Sequence, residues 1–162
     1  MNTDIEKPPP TITSLALKST WTYSHEGVHV EIAHWGTDTM NNGKGVWNYY
    51  LLISEYKFPS QLSTLWLEPS YDRWTPTSPL RKHFEYMRSP LAEIPLHGGI
   101  SFYDQLNPDI PGSRAIEIGC DYNHLYDEER GHPENLASVF EESLQSCKAL
   151  SSYLASLTIN LN

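Results

Sequence analysis

The sequence predicts an α+β domain: a twisted, mostly antiparallel sheet of about five or six strands covered by one long C-terminal helix. Three observations predict it. Apolar residues alternate with polar ones around Gly-containing turns in the first half of the chain. The C-terminal segment carries apolar residues at three- and four-residue spacing. At 162 residues, 39% apolar and 12% aromatic, the chain has too much large apolar surface to stay disordered and is the size of one domain.

Residues 1–13 are polar and contain Pro8-Pro9-Pro10, which reads as a flexible lead-in to a single domain over 14–162. Trp21 and Tyr23 precede a turn at Ser24-His25-Glu26-Gly27. Val28, Val30 and Ile32 then alternate with His29 and Glu31, so a hairpin with one buried face is expected. After the turn residues Asn41-Asn42-Gly43-Lys44-Gly45 comes a strand over 46–56. Its Trp47, Tyr49, Leu51 and Ile53 share one face, and Tyr50 and Leu52 make the other partly apolar, as in a strand covered on both sides. The apolar run Leu65-Trp66-Leu67 suggests a fourth strand. Five prolines between 69 and 95 exclude long regular elements there. Strand character returns at 99–103 and 114–120, separated by the turn residues 107–112. Pro133 and Glu134 suit the first turn of the final helix, whose stripe includes Leu136, Val139, Phe140, Leu144, Cys147, Leu150, Leu154 and Leu157. Glu141, Glu142, Gln145 and Lys148 lie outside that stripe.

Composition narrows function. The formal net charge is −9, and Lys and Arg are scattered. That argues against general nucleic-acid binding, which needs cations to neutralise phosphates. Cys120 and Cys147 have no metal-type spacing and read as reduced, buried residues. No apolar leader or membrane-length run is present, so a cytoplasmic protein with no membrane partner is expected.

Two segments carry candidate chemistry. His97-Gly98-Gly99-Ile100 pairs an imidazole with glycines that permit positive φ and close backbone approach. Gly119-Cys120-Asp121-Tyr122-Asn123-His124-Leu125-Tyr126-Asp127 follows a strand and spaces Asp121, His124 and Asp127 by three, on one face of a tight turn. Ordinary turn and capping chemistry explains either segment alone. Elsewhere, His25, His29 and His34 read as solvated, and His83, Glu85 and Arg88 as a lid or rim. No P-loop, Rossmann glycine pattern, nucleophile elbow or zinc-protease motif occurs.

Together, His97-Gly98-Gly99-Ile100, the Gly119-x-Asp121-x-x-His124-x-x-Asp127 stretch and the amphipathic terminal helix resemble a family of small phage- and prophage-borne proteins. That family carries His-Gly-Gly-(Ile/Leu)-Thr and Gly-x-Asp-x-x-His-x-x-Asp, then a helix rich in Glu and Leu. The resemblance covers roughly residues 95–157. Ser101 stands where the family has Thr, keeping a hydroxyl, and the segment between Phe102 and Arg114 departs more. The resemblance implies that His97, Gly98, Gly99, Asp121, His124 and Asp127 act as a unit, and it implies no reaction. The expected function is that of a phage-type accessory protein that sequesters a small polar, nucleotide-like ligand against host defence, without a cofactor. Gly98 and Gly99 would donate to phosphate, and Trp47, Tyr50 and Trp66 are candidates to stack a base. Two alternatives stand beside it. One is a metal-dependent hydrolase holding a divalent ion on His97, His124, Asp121 and Asp127. The other is an acidic inhibitor that binds a basic host protein.

Overall fold

The computed structural model describes residues 18–35, 46–122 and 135–160. Strand β1 (Lys18–His25) turns through Glu26 and Gly27 into β2 (Val28–Trp35). Both turn residues have positive φ, 50° and 84°, as a tight two-residue hairpin turn requires. A side chain at Gly27 would also press on the Phe58 ring, 3.1 Å from a Cβ. Strand β3 (Val46–Ser54) pairs antiparallel with β2, and its Trp47, Tyr49, Leu51 and Ile53 are buried while the alternate residues are half-buried. Among the described residues, the helices cover one of its two faces, and the other is partly covered.

The run at Leu65-Trp66-Leu67 is not a strand. Leu65 ends helix α1 (Pro59–Leu65), which starts on a proline and buries Leu62 and Leu65. Three consecutive apolar residues fit the end of a helix as well as a strand, and Pro59 with the three-residue Leu spacing decides for the helix. Between 69 and 95 the chain forms only short pieces: strands β4 (Ser70–Asp72) and β5 (Arg81–His83), which pair with each other, and two 3₁₀ turns at Tyr86–Arg88 and Pro90–Glu93. Strand β6 (Phe102–Leu106) begins later than its apolar run suggested. It pairs with β7 (Ala115–Asp121), which pairs in turn with β3. The main sheet is five-stranded, entirely antiparallel, in the order β1-β2-β3-β7-β6.

Helix α2 (Leu136–Asn160) covers one face of this sheet. Pro133 and Glu134 lie outside the described residues, as do 1–13. Within the described residues the helix starts on a reciprocal cap: Ser138 N–H donates to Asn135 Oδ1 at 2.9 Å and Asn135 N–H to Ser138 Oγ at 3.1 Å. Val139, Cys147, Leu150 and Leu154 are buried against Tyr23, Val30, Ile32, Tyr49, Leu51, Ile116 and Ile118 in one core. The stripe is interrupted by buried serines that answer sheet hydroxyls. Ser143 Oγ lies 2.7 Å from Tyr23 Oη and Ser146 Oγ 2.8 Å from Tyr49 Oη, so neither tyrosine is buried without a partner. His25 corrects the expectation of a solvated turn residue: it is 8% exposed, on the same sheet face as Tyr23. His29, one position out of that period, is exposed.

Candidate functional site

The site is built where β7 ends, between the turn after Ile94 and the first half of α2. Gly99 N–H donates to Leu96 O at 2.9 Å, closing a turn whose third residue, Gly98, has φ 67°. Gly99 follows at φ 90°. Two successive positive φ values favour glycine at both positions. Two bonds fasten this turn to the core. Ser146 Oγ donates to Pro95 O at 2.6 Å. His97 N–H donates to Tyr49 Oη at 2.9 Å, and Tyr49 is fully buried beneath it. Residues 95–97 thus run along α2 in the opposite direction, which brings the His97 side chain one turn back from Ser146, to Glu142.

There His97 Nδ1 lies 2.7 Å from Glu142 Oε2. A carboxylate oxygen accepts, so Nδ1–H is the donor and the imidazole orientation is fixed. The His97 ring stacks on Tyr122, with centroids 3.9 Å apart and planes 12° from parallel. Tyr122 is itself anchored by its N–H, which donates to Trp47 O at 2.9 Å. Its phenol is 2% exposed, and Oη has no hydrogen-bond partner among the described residues. Burial, and then the Glu142 carboxylate, push the Tyr122 phenol far above its usual range. Glu142 is thus the polar group nearest Oη in effect, acting on the phenol by its charge and by a weak hydrogen-bonding contribution, although no hydrogen bond of ordinary length and angle joins them. Beside them, burial pushes the Cys120 thiol up to about 12, so at neutral pH it is an inert apolar neighbour rather than a nucleophile.

The expected site residues divide. His97, Gly98 and Gly99 form the turn just described. Asp121 pairs with Asn48, on the sheet face opposite Tyr49 and Cys120, and its charge is felt by Tyr50 on that same face. Alternation along β7 therefore separates Asp121 from the face against which His97 packs. His124 and Asp127 lie outside the described residues. Trp47 is 9% exposed and stacks on Trp21, at 5.7 Å. Tyr50 lies on the open face against Phe102. Trp66 lies under Arg114, beside the Ala115 end of β7, a strand's length from Tyr122. The three aromatics do not make one stacking platform. Gly99 N–H is engaged within its own turn, so the pair of glycines does not offer two donors to a phosphate.

Tyr122, Glu142, Tyr49 and Ser146 were not singled out as site residues in the sequence. Glu142 and Ser146 are four apart on α2 and so share a face, but a charged residue beside an apolar stripe ordinarily reads as solvated. Among the described residues, no group of three or more His, Cys, Asp or Glu is placed to hold a metal ion, and no helix is long and apolar enough to cross a membrane. Comparison with protein-family models, curated proteins and solved structures found no match.

Proposed function

We propose that this chain binds a small polar ligand at the end of its sheet, through Tyr122, Glu142 and His97. The observation that carries this reading is the Tyr122 hydroxyl, buried beside a carboxylate with no hydrogen-bond partner among the described residues. A desolvated hydroxyl left without a bond costs about 1–3 kcal/mol. Phenylalanine would fill the same space without that cost. A hydroxyl that donates to a ligand, once the side chains enclosing it move aside to admit one, accounts for the tyrosine.

The groups also indicate the ligand's chemistry. Tyr122 Oη donates to an acceptor, while Glu142 accepts from a hydroxyl or amino group. That combination suits a ribose edge or a nucleobase edge. It does not suit phosphate, since Glu142 repels an anion and Gly99 N–H is engaged with Leu96 O. The nucleotide-like reading keeps its sugar and base here, and the phosphate belongs elsewhere on the ligand. The resemblance to phage-borne proteins supports a role as an accessory protein that sequesters such a molecule against host defence. The inert Cys120 thiol supports binding without covalent chemistry.

The metal-dependent hydrolase has one observation in its favour: a carboxylate on one imidazole nitrogen is how metal-bound histidines are commonly oriented. Against it, Asp121 projects from the other face, so the ligand set would rest on His124 and Asp127. A thermal-shift screen of cyclic and ADP-ribose-type nucleotides, run beside metal analysis of the purified chain, separates the two. A true ligand at a hundredfold excess over its Kd raises stability by about 2.7 kcal/mol, and Tyr122→Phe and His97→Ala abolish the gain. Stoichiometric zinc or manganese that His97→Ala removes, with no nucleotide shift in the wild type, replaces this reading with the hydrolase.

A further inference from the structure

Charge and exposed apolar surface are segregated on this molecule, away from His97. Among the described residues, α1 and α2 pack on one side of the sheet, through Leu62, Leu65 and the α2 residues of the core. Among the described residues, the other side presents Glu31, Asp104, Glu117 and Asp121 around Tyr50 and Phe102, and the one cation on it, Lys18, is 3.6 Å from Glu31. Glu117 stands directly across from Asp104, and burial together with the Glu31 and Asp104 charges raises its pKa. Like charges directly opposite one another weaken a sheet. A cationic partner on this face relieves the repulsion.

The complementary surface is on the same chain. Residues 70–88 hold four of the 11 Lys and Arg, Arg73, Arg81, Lys82 and Arg88, against two carboxylates, Asp72 and Glu85. They also expose Tyr71, Leu80, Met87 and Trp74, the last at 79%. Trp74 is held in place by the Arg81 guanidinium, 4.6 Å from its ring centroid, and Arg81 is fixed by two hydrogen bonds of 3.1 Å to Asp72. Such an apolar and cationic projection on an acidic protein marks an interaction surface. The β4–β5 segment is rooted through Phe84 and Tyr86 on Tyr103, on the helix side of β6, away from the acidic face of its own sheet.

We infer that the β4–β5 hairpin docks on the open sheet face of a second copy. Arg73, Lys82 and Arg88 answer Glu31, Asp104 and Glu117, and Trp74 covers the Tyr50–Phe102 pair. Each copy carries both surfaces, so reciprocal docking closes a twofold pair.

Sedimentation velocity on the full chain tests this at about 50 mM and about 500 mM salt, where the screening length falls from above 10 Å toward a few ångströms. The wild type associates with concentration at low salt, with affinity weakened about tenfold or more at high salt. An arm-reversed variant (Arg73→Glu, Lys82→Glu, Arg88→Glu) is monomeric, and so is a face-reversed variant (Glu31→Lys, Asp104→Lys). Both retain the wild-type circular dichroism spectrum. An equimolar mixture of the two re-forms the pair, since each reversed surface then meets its opposite. A wild type monomeric at every concentration overturns the inference, as does a dimer that both reversals leave intact. Neither variant touches the His97 site, so nucleotide shifts are unaffected in either outcome.

Discussion

Gly119 sits in the interior of β7, directly opposite Tyr50, and its missing side chain is filled by the Tyr50 ring. A Cβ placed there would overlap Tyr50 Cδ1 and lie 2.9 Å from the Tyr49 carbonyl oxygen. The ring can turn aside, but the carbonyl belongs to the β3 backbone and cannot. Two effects oppose each other in Gly119→Ala. Alanine loses less backbone entropy on folding, a gain of about 0.5–1 kcal/mol. Overpacking between two paired strands costs about 1–3 kcal/mol. Because one clash is with backbone, overpacking wins, and the net loss is about 1–2 kcal/mol. For a chain of this size each kcal/mol moves Tm by about 2–4 °C. Urea denaturation with a thermal melt measures it, and Tyr50→Ala in the same background shows the partner: Gly119→Ala then costs less, because only the carbonyl contact remains. Gly119→Ala that is neutral or stabilising would refute the packing of Tyr50 over this position.

Two further predictions concern pH. The Arg114 guanidinium donates two hydrogen bonds to the Glu55 carboxylate, at 2.8 and 3.1 Å, and holds its pKa at about 2 against an ordinary 4.5. A depressed folded-state pKa contributes stability above pH 4.5 that is lost as pH falls toward 2, so Glu55→Gln flattens the acid limb of Tm against pH in that window. Glu117 has the opposite sign: burial and the Glu31 and Asp104 charges raise its pKa. Its charged form therefore destabilises the fold at neutral pH, and the penalty disappears once pH falls below the ordinary value of 4.5. Glu117→Gln raises Tm at pH 7 and leaves it unchanged in acid. A Tm equal to wild type at both pH values would remove the like-charge strain assigned to that face.

The fold was legible because its strands have one buried face. Val28, Val30 and Ile32 and the odd residues from Trp47 to Ile53 alternate, and burial follows that period. His25 was misread because its residue type outweighed its parity with Tyr23. Leu65-Trp66-Leu67 was misread because a run of three cannot distinguish a helix end from a strand. The candidate site was legible in its glycines and His97, where a turn with positive φ leaves a mark in sequence. Glu142, Tyr122 and Ser146 were not, because what brings them to His97 is the crossing of α2 over the strand ends. That tertiary placement has no local pattern. The separation of Asp121 from His97 follows from the pairing of Asp121 with Asn48, which depends on register rather than on spacing.

The central claim is that the Tyr122 hydroxyl is kept for a ligand rather than for the fold, and the thermal stability of Tyr122→Phe without ligand tests it most directly. Removing a buried hydroxyl that makes no hydrogen bond relieves a desolvation cost of about 1–3 kcal/mol and leaves the stack on His97 intact. The variant should therefore melt several degrees above wild type while losing any ligand-induced gain. A variant that melts below wild type would mean that Oη is bonded within the folded chain, and would contradict the assignment of this tyrosine to a binding site.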